Sequence, residues 1–219
     1  MEQINTTADC SRNRSSLVNK RLLRAGASFR LFLDRLKLTE DERFAVNVGA
    51  NDGITHDPVY PLFVAGFRGA AFEADERWAR TLQHTLLRFN GSVSHAVTMV
   101  TAANVAQLLR QHGCPRSFAA LKVDIDSLDL QVIDAVLRAG FLPAVVMAEI
   151  NQDVPPPWSF YVTATPGVRS GEGFYGTSLQ PLYDLLTRSG FALVQLKSSN
   201  SEHNAWFVHE GRACRVCRA

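Results

Sequence analysis

Apolar residues along this chain follow two alternating rhythms. Between Ser16 and Lys37, Leu17, Leu22, Leu23, Phe29, Phe32, Leu33 and Leu36 recur on one face at helical spacing. Arg43-Phe-Ala-Val-Asn-Val48 then has the composition of a short buried strand and runs into Gly49-Ala-Asn-Asp-Gly53. A helix-like apolar stretch leads through Phe67 to a second strand, Gly69-Ala-Ala-Phe-Glu73. The pattern goes on through helix 75–89, strand Ser92–Val97, helix 102–112, strand Ala119–Asp124, helix 128–139 and strand Ala144–Ile150. Asn151–Gly176, with Pro155-Pro-Pro157 and several glycines, reads as a long loop of the kind that serves as a lid. Helix 178–189 and strands Phe191–Leu196 and Asn204–His209 complete the chain as a hairpin-like end.

Repeated β-α alternation specifies an α/β fold: one mostly parallel sheet, here of seven strands, with helices on both faces. The predicted division is an N-terminal helical appendage at 1–40 and an α/β domain at 41–219. The amphipathic appendage has two readings, packing on the domain or pairing with a second copy in a homodimer. Ligands in such sheets bind beyond the carboxyl ends of the strands, so the residues just after each strand carry the chemistry.

Composition narrows the classes. Hydrophobic residues make up 46% of the 219 and charged residues 20%, which excludes a disordered or collagen-like chain. No apolar run reaches the ~18 residues of a membrane span. Net charge is +2, yet residues 1–38 hold eight basic residues against three acids, leaving the remainder slightly acidic. A nucleic-acid partner is therefore not expected. Cys214 and Cys217 have metal-knuckle spacing without a second pair, and with Cys10 and Cys114 they read as reduced thiols. Polar Met1–Arg14 lacks the apolar core of a secretory signal, so the expected setting is cytoplasmic.

Two clusters stand at the predicted strand ends. Gly49 and Gly53 allow a tight turn and a close ligand approach after strand one, and Glu73 ends strand two, where a carboxylate can accept both hydroxyls of a ribose. Together they point to a nucleoside cofactor; an ordinary glycine turn with Glu73 as a solvated cap is the plainer alternative. Asp124, Asp126 and Asp129 follow strand four, and Glu149, Asn151 and Asp153 follow strand five. Adjacent strands would bring these oxygens together, and their mutual repulsion calls for protons or a cation. Asp124, Asp126, Glu149 and Asn151 are the candidate ligands for Mg²⁺, Mn²⁺ or Ca²⁺. The alternative is helix capping, with Lys122 or Arg138 neutralising the charge. His56 and His203 are candidate bases beside Asp124, whereas His84, His95, His112 and His209 have no convergent partner. Trp158, Phe160, Tyr161, Phe174 and Tyr175 crowd the long loop and either wall an acceptor pocket or anchor the loop.

Asn47-Val-Gly-Ala-Asn-Asp-Gly53, Ala71-Phe-Glu-Ala-Asp75 and Leu121-Lys-Val-Asp-Ile-Asp126 resemble the strand motifs of FkbM-type S-adenosylmethionine-dependent methyltransferases, over about residues 43–150. The resemblance implies a Rossmann-like class I methyltransferase fold and transfer of a methyl group to a small-molecule hydroxyl. It implies that Asn47, Gly49, Ala50, Asn51 and Gly53 face the methionine end of S-adenosylmethionine, Glu73 its ribose, and Val97 and Thr98 its adenine. Asp124 would border the same cofactor. Asn47 departs from the acid that class I enzymes often carry there, and Asn51 from a glycine. Two other classes stay open: a different nucleoside-cofactor enzyme such as an NAD-dependent oxidoreductase, and a non-catalytic relative that kept the fold.

Overall fold

β1 (Phe44–Val48) is buried along its whole length, as a central strand covered on both faces must be. The computed structural model describes residues 28–34, 36–163, 175–198 and 203–213. Parallel neighbours flank β1: β2 (Arg68–Glu73) on one side and β4 (Ser117–Val123) on the other. β3 (Val93–Val97) adds to β2, and β5 (Leu142–Glu149) to β4. The hairpin end enters the sheet in reverse sequence order. β7 (His203–His209) pairs antiparallel with β5, and β6 (Phe191–Ser198) lies outside β7, giving the order β3-β2-β1-β4-β5-β7-β6. The expected seven-stranded, mostly parallel sheet is present, with strand bounds within about two residues of the pattern.

Pleating divides the strand side chains between two apolar layers. Val46, Val48, Phe72, Leu121, Val123, Val146 and Phe207 pack beneath α4 (Val105–Gln111), α5 (Asp129–Arg138) and α6 (Leu179–Arg188). Ala45, Ala71, Ala120, Val145, Met147 and Trp206 pack beneath α1 (Phe29–Leu33), α2 (Tyr60–Val64) and α3 (Ala79–Leu87). Half of the buried strand residues on this second face are alanine, and beside Trp206 of β7 the bulky rings Phe29, Phe32 and Phe63 come from the helices. α3 is entered through a 3-10 turn, Glu76–Trp78, capped by Asp75, which accepts the Arg77 N–H at 2.9 Å. A short α7 (Glu210–Ala213) is tied back by buried Arg212 donating to Glu42.

Of the predicted helix 16–37, residues 16–27 and 35 lie outside the described residues, as do Phe174, Gly171-Glu-Gly173, Cys10, Cys214 and Cys217. The described turn docks on its own domain: Phe29 meets Trp206 edge to face at 4.8 Å between ring centroids, and Phe32 lies at 5.7 Å. No helix among the described residues is long and apolar enough to cross a membrane.

Candidate active site

β1 is the point where the order of the sheet reverses, and a cleft of about 780 Å³ opens there beyond the carboxyl ends of the strands. One wall is the glycine loop. Gly49 has φ +80°, and a Cβ on it would lie 1.8 Å from the Asp124 carbonyl oxygen, so no side chain fits. Its N–H and that of Ala50 both donate to the Phe72 carbonyl, at 2.9 and 3.0 Å, which pins the loop to β2. Glu73 closes the arrangement: Oε2 accepts the Asn51 N–H at 2.7 Å and Oε1 the Asp75 N–H at 2.8 Å. Asn51 and His56 both adopt left-handed backbone, φ 52° and 56°, a conformation that non-glycine residues hold at a cost. Trp78, Thr98 and Met99 continue this wall, and Trp78 and Met99 leave 37% and 46% of their surface exposed.

Acids dominate the opposite wall. Carboxylate oxygens of Asp124, Asp126 and Glu149 lie within 4.8 Å of one another. β4 ends at Val123, one residue short of its expected bound, and Asp126 turns into left-handed backbone at φ 57°. Asp129 shapes that turn: it is 1% exposed, and its oxygens accept the Ile125 and Ser127 N–H groups at 3.0 Å each. Burial, against these two donors, raises Asp129 to about 7. Burial first, then the charges of Asp124 and Asp126, push Glu149 up to about 10, so it carries a proton at neutral pH and donates it to Asp126. Asp126 is itself raised, again mainly by burial.

A buried cation, Lys122, lies at the cleft floor. Its ammonium donates to the Gly49 carbonyl and lies 3.3 Å from Asp124. Burial would depress it, yet the charges of Asp124 and Asp57 prevail and raise its pKa. Arg138, the other expected neutraliser, instead pairs with Asp134 at 2.8 Å along α5.

Several expected residues sit elsewhere. Asn151 is 1% exposed and serves the long loop: Nδ2 donates to the Tyr175 carbonyl at 3.2 Å and Oδ1 accepts the Asp153 N–H at 3.0 Å. His203 is buried at the start of β7 and is not among the cleft-lining residues, whereas His56 is. Asn47 is sealed under the loop, Gly53 backs onto Leu82 and Thr85, and Val97 lies outside the lining that Thr98 joins. Of the loop aromatics that are described, Trp158, Phe160, Tyr161 and Tyr175 are not cleft-lining, and Trp158 is 71% exposed. The pattern did not single out Asp57, Trp78 and Asn204, which do line the cleft. Asn204 lies directly across from Glu149 in the β5–β7 ladder, so both side chains share a face.

No family model matches the sequence. No curated protein matches it. Solved structures do share the fold. An O-methyltransferase from Bacillus cereus in complex with SAH is similar over 94% of this chain and 90% of its own, with a TM-score of 0.52 at 13% identity. Magnesium protoporphyrin IX methyltransferase from Synechocystis PCC 6803, with bound SAH, covers 95% and 90% at a TM-score of 0.51 and 12% identity. An archaeal fibrillarin pre-rRNA processing protein, from Methanococcus jannaschii, covers 80% and 70% at 0.50 and 14%. The chain therefore has the Rossmann-like methyltransferase fold, with a seven-stranded, mostly parallel sheet and helices on both faces.

Proposed function

We propose that this protein is an S-adenosylmethionine-dependent methyltransferase, FkbM-like in its loop motifs, that methylates a hydroxyl of a small molecule with help from a divalent cation. The observation that carries the reading is Glu73, locked onto the glycine loop through the Asn51 N–H at 2.7 Å while lining the cleft opposite the acid cluster. Each Glu73 oxygen keeps a lone pair beyond its backbone bond, which suits the two hydroxyls of a ribose. Trp78 and Met99 offer exposed apolar surface beside Thr98 for a flat base. An oxygen-only donor set whose members crowd one another suits Mg²⁺, Mn²⁺ or Ca²⁺, with Asp124, Asp126 and Glu149 as the holding groups.

When bound, S-adenosylmethionine supplies an electrophilic methyl group and the cation lowers the acceptor hydroxyl's pKa. The chain's own part is mainly positioning. Glu73 fixes the ribose and the Gly49–Gly53 loop the methionine end, with Asp124, itself one of the three acids, bordering the same cleft. His56, on the cleft wall, is the group offered to take the acceptor proton. His203 is set aside because it is not among the cleft-lining residues, and Asn151 because the long loop engages its side chain.

Calorimetry with S-adenosylhomocysteine tests the core of this reading, run with Mg²⁺ and then with chelator, and with NAD(H) as control. Micromolar binding of the homocysteine ligand alone is expected. Its absence in both conditions overturns the methyltransferase reading, and binding of NAD(H) in its place would make the protein an oxidoreductase. Turnover unchanged by chelator would remove the cation while leaving the methyltransferase standing.

A further inference from the structure

Asn47 raises a specific question: with an amide where an acid often ends the first strand, what meets the positive amino group of an amino-acid-bearing nucleoside? The structure brings a carboxylate to that place from another part of the chain. Asp57 follows the glycine loop and the left-handed turn at His56, φ 56°, which swings the chain back toward the floor of the cleft. Its Oδ2 accepts the Asn47 Nδ2–H at 2.7 Å, and its Oδ1 accepts the Val59 N–H at 2.8 Å. Asn47 is completely buried, and its own Oδ1 has no hydrogen-bond partner. Asn47 is thus a clamp on Asp57, and Asp57 is the member of the pair that lines the cleft.

Charge at the floor points the same way. Lys122 feels Asp124, Asp57 and Glu73 together, one cation among three carboxylates. Its ammonium is already committed to the Gly49 carbonyl and to Asp124 at 3.3 Å. Asp57 carries bonds from an amide and a backbone N–H, both neutral donors, and burial outweighs them and the Lys122 charge to raise its pKa, so its carboxylate is left short of positive partners. A ligand bearing an ammonium group at this end balances it.

We propose that Asp57 is the carboxylate that receives the α-ammonium of the cofactor's amino-acid arm, with Asn47 as its positioning residue. This rests on the methyltransferase reading above. It gives the site a means of distinguishing a nucleoside that carries an amino-acid arm from one that does not.

Calorimetry on the full chain with two probes reads this out: S-adenosylhomocysteine, and 5′-methylthioadenosine, which keeps the adenosine and the thioether but lacks the arm. In Asp57→Asn, affinity for S-adenosylhomocysteine should fall at least tenfold, while that for methylthioadenosine stays within twofold. S-adenosylhomocysteine lacking its amino group should lose at least tenfold on the parent protein and nothing further on the variant. Exchanging the pair, Asn47→Asp with Asp57→Asn, keeps one amide and one carboxylate but moves the charge to the sealed position, so the loss should persist, and it covers the case in which the single variant fails to fold. Equal affinity of parent and variant for S-adenosylhomocysteine overturns the assignment, as does a parallel loss for both probes. A parent protein that binds neither probe overturns the methyltransferase reading itself, which separates that failure from this one.

Discussion

The two walls of the cleft handle their acids in opposite ways. On the glycine-loop wall, carboxylates are answered by donors. Glu73 accepts two backbone N–H groups, and Asp52 accepts those of Ile54 and Thr55 at 2.9 and 2.7 Å. Burial alone would raise Asp52, but these bonds and the Thr55 hydroxyl hold it below the usual carboxylate range. On the far wall, Asp124, Asp126 and Glu149 face one another, and burial and the neighbouring charges push Glu149 up to about 10. The first wall is complete as folded, a preorganised cradle. The second has too few donors for its acids, so a proton or a cation must complete it. A cradle needs only a ligand of the right shape, whereas a crowded acid wall selects what arrives by charge.

Gly49→Ala breaks both walls at once and has the largest expected effect. The added Cβ would meet the Asp124 carbonyl oxygen at 1.8 Å, and backbone at φ +80° disfavours any side chain. The variant should lose roughly 3 kcal/mol or more of stability in denaturant titration and all measurable S-adenosylhomocysteine binding. Gly53→Ala meets Leu82 Cδ1 at 2.9 Å, a side-chain atom that can move, so a milder loss of about 1–2 kcal/mol is expected. Equal costs for the two would contradict the packing of Gly49 against β4.

Glu73→Ala isolates the cradle. It removes the acceptor for the Asn51 and Asp75 N–H groups and should weaken S-adenosylhomocysteine by about 1.5–3 kcal/mol, the range for a bond to a charged group. Affinity unchanged within error would detach Glu73 from the cofactor. Glu149→Gln isolates the acid wall. Without divalent ions it should raise stability at neutral pH by about 1 kcal/mol, because the amide is neutral in the unfolded chain as well and folding no longer has to take up the proton that Glu149 needs. The melting-temperature rise that Mg²⁺ gives the parent should vanish in the variant. A parent with no such rise leaves the acids to protons alone.

The cradle was largely legible in the sequence and the acid wall only partly, for physical reasons. Gly49, Gly53 and Glu73 follow strands buried on both faces, so their apolar runs are continuous and the turn residues stand out. Asp124 and Glu149 were legible in the same way, at the ends of the neighbouring strands β4 and β5. Asp57 was hidden because it belongs to a turn and reaches the cleft through one left-handed residue, His56. Asn204 was hidden because β7 inserts between β5 and β6, a long-range antiparallel pairing that local periodicity does not encode. Asn151 had the right chemistry at the right strand end, but Tyr175 and Asp153 of the long loop engage its amide. Composition shows which side chains can bind and says nothing of which the backbone has already taken.

The smallest expected effect lies behind the cradle. His112 stacks edge to face on Phe72, 5.0 Å between ring centroids, and Phe72 is the residue whose carbonyl holds the Gly49 and Ala50 N–H groups. Burial, and then the nearby His95, lower the pKa of His112 from 6.5. The folded state thus releases this proton more readily than the unfolded chain. As pH falls below about 6.5, unfolded molecules take up the proton first, so stability declines. His112→Gln should flatten the fall in stability between pH 7 and pH 5 without abolishing it, because His209 is lowered as well and acts with the same sign. S-adenosylhomocysteine affinity at pH 7.5, where both histidines are neutral, should not change. Identical stability slopes in parent and variant would show that protonating His112 does not disturb the packing under Phe72, and that the cradle rests on its backbone bonds alone.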